Sequence, residues 1–211
     1  KERGMQAAAV DSRSGSGVGQ MVSLARNALK EQIAKWQEKG QVGRPVRAMV
    51  VGVPNVGKST FINKLARRKS AKAGDRPGVT RGKQWVSVDK GLELLDTPGI
   101  LWPKFEDEVT GLHLAFTGAV KDEVTDMEGL ACALLALLRD RYPQTLTERY
   151  RLTELDGKQG WELLELGARK RGMLISGGEA DTERMAKVLL DEFRGGKLGR
   201  FTLETPEEIK L

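Results

Sequence analysis

Residues 52–59 read Gly-Val-Pro-Asn-Val-Gly-Lys-Ser and fill every position of the phosphate-binding pattern G-x-x-x-x-G-K-[ST]. An apolar run over residues 48–51 precedes them, and a helical pattern over residues 60–66 follows. This strand–loop–helix context distinguishes a phosphate-binding loop from an ordinary glycine-rich turn, which is the alternative reading. Backbone N–H groups of such a loop, and the positive end of the helix behind it, attract phosphate oxygens. We therefore expect a nucleoside triphosphate to bind, with Lys58 reaching its β- and γ-phosphates and Ser59 holding Mg²⁺.

Composition limits the class of protein. The 211 residues, with 39% hydrophobic and 30% charged side chains, suit one large domain or one medium domain plus a small one. The single cysteine, Cys132, excludes an internal disulfide and is typical of a reducing compartment. The longest apolar run, residues 130–138, is too short to span a bilayer. We expect a cytoplasmic protein without a membrane partner.

Positive charge is concentrated in the part of the chain that holds the phosphate-binding loop. Residues 1–120 contain 20 Lys and Arg against 11 Asp and Glu, and residues 121–211 contain 15 against 18, which together give the net charge of +6. A basic set follows the loop helix and consists of Arg67, Arg68, Lys69, Lys72, Arg76, Arg81 and Lys83. It is either a solvated helix end and loop or a surface that faces RNA, because Lys and Arg bind phosphate without regard to sequence.

The order of predicted elements indicates an α/β sheet followed by helices. We predict strands over residues 5–10, 84–88 and 92–95, the last two joined by a hairpin turn at residues 89–91, and helices over residues 18–39, 124–141, 160–170 and 182–193. Residues 70–83 lack a period and form a loop. The predicted domains are residues 1–120, with the phosphate-binding loop, and residues 121–211, which are helical. Three tryptophans, Trp36, Trp85 and Trp161, are expected in the core.

A second motif, Asp-Thr-Pro-Gly at residues 96–99, directly follows a predicted strand. A carboxylate at a strand end can hold the hydration shell of Mg²⁺, and the N–H of Gly99 can sense the γ-phosphate. Between the two motifs, Thr80 can close over Mg²⁺ and the γ-phosphate, which makes residues 70–83 a candidate switch. The alternative is a plain mobile loop. Asp96 is thus a candidate Mg²⁺ residue, as are Ser59 and Thr80.

These motifs together resemble the translation-factor-like GTPases, whose guanine-specific N-K-x-D motif normally follows D-x-x-G. The chain's asparagines are Asn27, Asn55 and Asn63, so nothing after Gly99 supplies that motif. Residues 7–15 nevertheless look like the strand and S-A-K-type loop that touch guanine in these GTPases, with Asp11 and Ser12 as the contacting residues, and they precede the phosphate-binding loop. The motif order is therefore circularly permuted, and N-K-x-D is expected upstream of Lys1.

Within the circularly permuted GTPases, residues 54–65, 74–80 and 94–105 resemble the bacterial ribosome biogenesis GTPase A family. The resemblance implies a P-loop GTPase domain in permuted order followed by a small all-helical domain. It also implies a GTP hydrolase that binds a late precursor of the large ribosomal subunit and leaves after hydrolysis, with the helical domain gripping ribosomal RNA. Off the ribosome we expect a monomer.

The resemblance further implies that Asn55 coordinates K⁺. Ile100 occupies the place where Ras-like enzymes carry a water-orienting Gln, so hydrolysis should be slow until an outside agent accelerates it. The single histidine, His113, is interpreted as structural. Alternatives are a nucleotide-gated RNA-binding module and a GTPase that acts on another RNA. The candidate residues for GTP or GDP, Mg²⁺ and K⁺ are Asp11, Ser12, Asn55, Val56, Gly57, Lys58, Ser59, Thr60, Thr80, Asp96 and Gly99, of which Lys58, Thr80 and Gly99 are the catalytic candidates.

Overall fold

The computed structural model describes residues 5–66, 84–89, 91–101, 107–120 and 126–205. The chain divides into two compact units, Lys1–Leu101 and Trp102–Leu211. This division lies earlier than the predicted boundary at residue 120. Helix α4, Glu108–Phe116, accounts for the difference, because its Ala115 and Phe116 are buried in the hydrophobic core of the second unit.

A small mixed sheet forms the centre of the first unit. Its described strands are β1, Val46–Val50, β2, Gln84–Asp89, and β3, Leu92–Asp96, in the order β1-β3-β2. Strand β1 runs parallel to β3, and β2 runs antiparallel to it. The two strands predicted over residues 84–88 and 92–95 and their pairing as a hairpin are confirmed. The parallel pair brings the carboxyl ends of β1 and β3 to one edge of the sheet, where both motifs begin.

Among the described residues, the helices that accompany the sheet are α1, Gln20–Ala28, α2, Lys30–Glu38, and α3, Lys58–Ala66. The core of this unit consists of Val18, Val46, Ile62, Leu65, Val88, Leu92 and Leu94. The single helix predicted over residues 18–39 is interrupted at Leu29, where φ is −112° and ψ is 18°. The Leu29 N–H bonds to the Arg26 carbonyl three residues back, the tighter turn common at helix ends.

The strand predicted over residues 5–10 is wrong. In the described part of the chain this segment pairs with no strand, and most of its side chains are exposed. Alanines make up half of it, and methyl groups alone bury too little apolar area to hold a segment in place. The prediction relied on apolar composition, which does not supply the neighbouring strand that a β-strand needs.

The second unit is helical where the structure describes it. Besides α4, it contains α5, Met127–Arg141, α6, Pro143–Tyr150, α7, Gly160–Lys170, and α8, Thr182–Arg194. Leu134, Leu135 and Leu138 of α5 are fully buried and pack in one cluster with side chains of α7 and α8. The helices predicted over residues 124–141, 160–170 and 182–193 correspond to α5, α7 and α8. Helices α4 and α6 were not predicted.

Local features of the sequence start the two helices that were not predicted, although they do not produce a clear apolar period. Helix α4 is capped by Asp107, whose carboxylate accepts hydrogen bonds from the N–H groups of Val109 and Thr110. Helix α6 begins with Pro143 at its first position, which suits a helix start. Its sequence is mostly polar, and only Leu146 and Tyr150 are buried, so it shows almost no apolar period.

The tryptophans are less buried than predicted. Trp85 is 48% exposed and Trp161 is 61% exposed, so the expectation that both lie in the core is wrong. The Arg47 guanidinium instead lies over the Trp85 ring, 5.0 Å from the ring centroid. Trp36 is partly buried against the core of the first unit. None of the helices in the described ranges combines the length and apolarity needed to cross a bilayer.

Candidate nucleotide-binding site

The phosphate-binding loop connects the end of β1 to the start of α3, as the sequence predicts. Two of its residues have left-handed backbone angles: Asn55, with φ of 57°, and Gly57, with φ of 97°. Glycine adopts this conformation without steric cost, and asparagine tolerates it better than most residues. The Gly57 carbonyl accepts a hydrogen bond from Phe61 N, so the loop leads directly into the helix. Ser59 and Thr60 therefore lie in the first turn of α3, where N–H groups have no partner within the helix.

Lys58 lies at the first position of α3, and its side chain turns back toward the loop. Its Nζ donates hydrogen bonds to the carbonyl oxygens of Val53, at 2.8 Å, and Gly52, at 3.1 Å. The ammonium group is thus held by the strand-proximal half of the loop. A phosphate oxygen is a charged acceptor and forms a stronger bond with an ammonium group than a carbonyl does. Nucleotide binding can therefore exchange these two contacts for contacts with phosphate.

Ser59 and Asp96 meet beside the loop. The Ser59 hydroxyl donates to Asp96 Oδ2 at 3.1 Å, and Asp96 lies at the buried end of β3. The next residue, Thr97, donates from its hydroxyl to the Val50 carbonyl at 2.7 Å, which ties the start of the D-x-x-G turn to the end of β1. A hydroxyl and a carboxylate in contact are oxygen ligands of the kind Mg²⁺ uses next to substrate phosphates. These residues therefore fit the predicted ion.

Within the described ranges, no three or more His, Cys, Asp or Glu side chains come together in a group able to hold a metal by themselves.

Gly99 lies directly against the phosphate-binding loop. A Cβ atom at this position would be 2.5 Å from Cα of Pro54 and 2.6 Å from its nitrogen. The adjacent Ile100 N–H bonds to the Gly52 carbonyl at 3.4 Å, and the Ile100 side chain is 65% exposed. Only a glycine fits at residue 99 unless the backbone of the loop moves. The structure therefore brings the two motifs predicted from sequence into contact through Gly99.

The base-loop candidate, residues 11–15, is a compact turn. The Asp11 carboxylate accepts hydrogen bonds from the Ser14 hydroxyl at 2.7 Å and from the N–H groups of Arg13 and Ser14. These hydrogen bonds hold the pKa of Asp11 below its ordinary value, and the bond from the Ser14 hydroxyl contributes most. Asp11 thus stabilises the turn that contains Ser12. Sequence reasoning missed Lys64, whose Nζ donates to the Arg13 carbonyl at 2.9 Å. No motif marks that contact, because the two residues are far apart in sequence.

Several predicted residues cannot be placed. Thr80, the basic set after α3 and the rest of the candidate switch lie outside the described residues. His113 belongs to the second unit, where its Nδ1 lies 2.8 Å from Glu204 Oε1 and its side chain is largely buried. The D-x-x-G motif and the phosphate-binding loop, in contrast, are brought together with their order and spacing as the sequence predicts.

The phosphate-binding loop, the Ser59–Asp96 contact and the adjoining Gly99 define a P-loop nucleoside triphosphatase. Comparison with known proteins gives the family. The family described as "50S ribosome-binding GTPase" matches residues 47–159. Over 209 residues the chain is 47% identical to ribosome biogenesis GTPase A of Bacillus cereus, covering 99% of this chain and 70% of that protein. It is also 47% identical to the protein of the same name from Priestia megaterium, covering 100% of this chain and 73% of that one.

Solved structures similar to this chain point to the same family. The GDP-bound YlqF structure superposes with a TM-score of 0.53 at 31% identity, covering 87% of this chain and 67% of that one. The GNP-bound YlqF structure from T. maritima gives a TM-score of 0.50 at 32% identity, covering 88% of this chain and 66% of that one. The chain belongs to the ribosome biogenesis GTPase A family, and it is a GTP hydrolase. The predicted fold class, a circularly permuted P-loop GTPase domain followed by helices, is confirmed.

Proposed function

We propose that this GTPase is a late assembly factor of the large ribosomal subunit and that the ribosomal particle stimulates its hydrolysis of GTP. The observation that carries the proposal is the exposed Ile100, whose N–H bonds to Gly52 of the phosphate-binding loop. Hydrolysis needs an aligned water molecule as well as neutralised phosphate oxygens, and an isoleucine side chain cannot orient water. A partner must therefore supply the alignment. The family description, "50S ribosome-binding GTPase", supports the large ribosomal subunit as that partner.

The residues of the site take the following roles. Lys58 binds the β- and γ-phosphates. The backbone N–H groups of the loop, together with Val56, Gly57 and Thr60, surround these phosphates. Ser59 and Asp96 would hold Mg²⁺, which would neutralise charge on the phosphates. Thr80 closes over the ion and the γ-phosphate, and the Gly99 N–H senses that phosphate. The close fit of Gly99 against Pro54 supports this role, because a shift of the loop on nucleotide binding must also move residue 99.

Asn55 is the proposed K⁺ residue. Its left-handed backbone, with φ of 57°, fixes the conformation of the loop between the two glycines of the motif. An amide oxygen is a suitable ligand for a hard monovalent cation. The cation would take the place of an arginine finger, which neutralises charge that develops in phosphoryl transfer.

Binding of ribosomal RNA is assigned to the helical domain, with domain limits near those predicted, and to the basic set after α3. The positive balance of residues 1–120, which contain the basic set, supports an RNA partner. We further propose a cytoplasmic location and a monomeric state off the ribosome. Guanine is contacted by the turn over residues 11–15, with Asp11 shaping it and Ser12 near the base.

A nucleotide-gated RNA-binding module is the second candidate, and Ile100 favours it as well, because a module has no need of a water-orienting residue. A GTPase that acts on another RNA is the third. Single-turnover cleavage of GTP on the particle separates the enzyme from the module, since a module binds without cleaving. Co-sedimentation with ribosomal subunits, compared with other RNAs, separates the first candidate from the third.

The test is GTP hydrolysis by the full chain with large-subunit particles, with small-subunit particles as the matched control. We expect large-subunit particles to raise the rate about tenfold or more and small-subunit particles to leave it unchanged. Lys58→Ala should abolish nucleotide binding, whereas Lys35→Ala, at an exposed position of α2, should behave as the wild type. Equal rates with and without large-subunit particles would contradict the assembly role. The assay is repeated with Na⁺ in place of K⁺, and an unchanged stimulated rate would remove only the role of Asn55.

A further inference from the structure

A lysine on the phosphate-binding helix makes direct contact with the base-loop candidate. Lys64 lies on α3, the helix that begins with Lys58 and Ser59, and its Nζ donates to the carbonyl oxygen of Arg13 at 2.9 Å. A hydrogen bond from an ammonium group to a carbonyl is charge-assisted and stronger than a neutral one. The Lys64 side chain is partly buried, so it has fewer alternative rotamers than a surface lysine.

The shape of the turn accommodates this lysine. Gly15 has φ of +87°, and a Cβ atom there would lie 2.6 Å from Cε of Lys64. The aliphatic stem of Lys64 therefore crosses the turn at the point where glycine leaves room. The geometry of Gly15 and the hydrogen bond to Arg13 are separate observations, and both place the same side chain across the turn.

Hydrogen bonds within the turn close it into a compact unit. Asp11 N donates to the Ser16 carbonyl at 2.9 Å, Gly15 N donates to the Asp11 carbonyl at 2.8 Å, and the Asp11 carboxylate accepts from Ser14. A side chain that grips the Arg13 carbonyl thus fixes the whole turn relative to α3. Since the phosphates bind at the start of α3, Lys64 sets the distance between the base loop and the phosphate site.

We propose that Lys64 is a positioning residue for guanine recognition, which holds the base loop at the span that a guanine nucleotide requires. The proposal rests on the assignment of residues 11–15 as the base loop under the proposed function. It follows that Lys64 contributes to the affinity for a nucleotide, which touches both ends of this span, and contributes nothing to the affinity for the phosphates alone. A residue that only supports the helix would affect both ligands.

The test measures binding of GDP and of pyrophosphate to the full chain by titration calorimetry. Lys64→Met keeps the stem and removes the ammonium group, Lys64→Arg keeps a donor, and Lys35→Met removes an exposed lysine from α2 as the matched control. We expect Lys64→Met to weaken GDP binding about tenfold, which corresponds to about 1.4 kcal/mol, and to leave pyrophosphate binding unchanged. Lys64→Arg should restore most of the GDP affinity, and Lys35→Met should match the wild type.

Three results would overturn the proposal: unchanged GDP affinity in Lys64→Met, an equal loss for GDP and pyrophosphate, or a wild type that binds pyrophosphate as tightly as GDP. Lys64→Leu, which also removes the ammonium group and keeps an apolar side chain, provides a second variant with the same expected pattern if Lys64→Met does not fold. The measurement contains no ribosomal particle, so its failure leaves the assembly role standing. Conversely, absent stimulation by large-subunit particles would not alter the ratio of GDP to pyrophosphate affinity.

Discussion

Glu192 is a buried carboxylate of the helical unit with three polar side-chain partners. Its side chain is 7% exposed, and its carboxylate accepts hydrogen bonds from the guanidinium groups of Arg149 and Arg171 and from the Tyr150 hydroxyl at 2.8 Å. These donors, Arg149 first, outweigh the cost of burial and lower the pKa of Glu192 from 4.5 to about 2. Burial and the Glu192 charge raise the pKa of Tyr150. The contact joins α6, α8 and the residue that follows α7.

Glu192→Gln should therefore destabilise the protein at neutral pH. The depressed pKa of Glu192 corresponds to about 3 kcal/mol of stability. The carboxylate contributes fully above its unfolded pKa near 4.5, and this contribution is lost as pH falls toward 2. We expect Glu192→Gln to lower the free energy of unfolding in urea by about 3 kcal/mol at pH 7 and by clearly less at pH 3.

Glu183→Gln is the matched control, because Glu183 lies on the same helix and its pair with Lys187 at 2.5 Å is exposed. An exposed pair of this kind contributes little, so this variant should stay within about 0.5 kcal/mol of the wild type at both pH values. Equal effects of the two substitutions at pH 7, or a Glu192→Gln effect independent of pH, would contradict the role assigned to the buried carboxylate.

At the scale of elements, helix α7 depends on two glycines at close contacts with neighbouring helices. A Cβ atom on Gly160, at the start of α7, would lie 2.1 Å from the backbone carbonyl oxygen of Cys132 in α5. A Cβ atom on Gly167, in the same helix, would lie 2.8 Å from the terminal methyl group of Met185 in α8. The first obstacle is rigid backbone, and the second is the flexible end of a side chain.

We predict that Gly160→Ala lowers the free energy of unfolding by more than about 2 kcal/mol, because α7 and α5 must separate to admit the methyl group. Gly167→Ala should stay within about 1 kcal/mol of the wild type, since alanine is the better helix former and Met185 can move aside. Urea denaturation followed by circular dichroism measures both. If the two variants lose stability equally, the contact between Gly160 and Cys132 is not a constraint.

At the scale of the whole molecule, the described residues form two cores that share no side chain. One core surrounds the sheet and contains Val46, Ile62 and Leu92, and the other contains Leu134, Leu163 and Leu189. The nucleotide site described above belongs to the first unit. A ligand stabilises the part of a protein that must be folded to bind it.

We therefore expect GDP to slow hydrogen exchange in the first unit far more than in the second. At about 100 times its dissociation constant, GDP adds about 2.7 kcal/mol to the opening free energy, or about a hundredfold slower exchange in β1, α3 and β3. Exchange in α5, α7 and α8 should change less than about threefold. Comparable slowing in both units would show that they unfold together. Lys58→Ala, which cannot bind nucleotide, should show no change in either.

Local chemistry explains which features of the structure could be predicted from the sequence. Both motifs, the hairpin and three helices of the second unit could be predicted, because glycines, apolar periods and motif residues act within a few neighbours of each other. The break at Leu29 and the helix α6 could not, since the apolar spacing continues across Leu29 and is almost absent in α6. The strand over residues 5–10 was predicted from composition, and composition does not supply a pairing partner.

The order of residues 11–15, 52–59 and 96–99 is a property of the chain that survives any packing, so the permuted motif order of this GTPase could be predicted from the sequence. Which residues touch depends on the tertiary structure. The contact between Ser59 and Asp96, the fit of Gly99 on Pro54 and the reach of Lys64 to Arg13 all join distant positions. Such contacts depend on how β1, β3 and α3 come together, and no local pattern encodes that geometry.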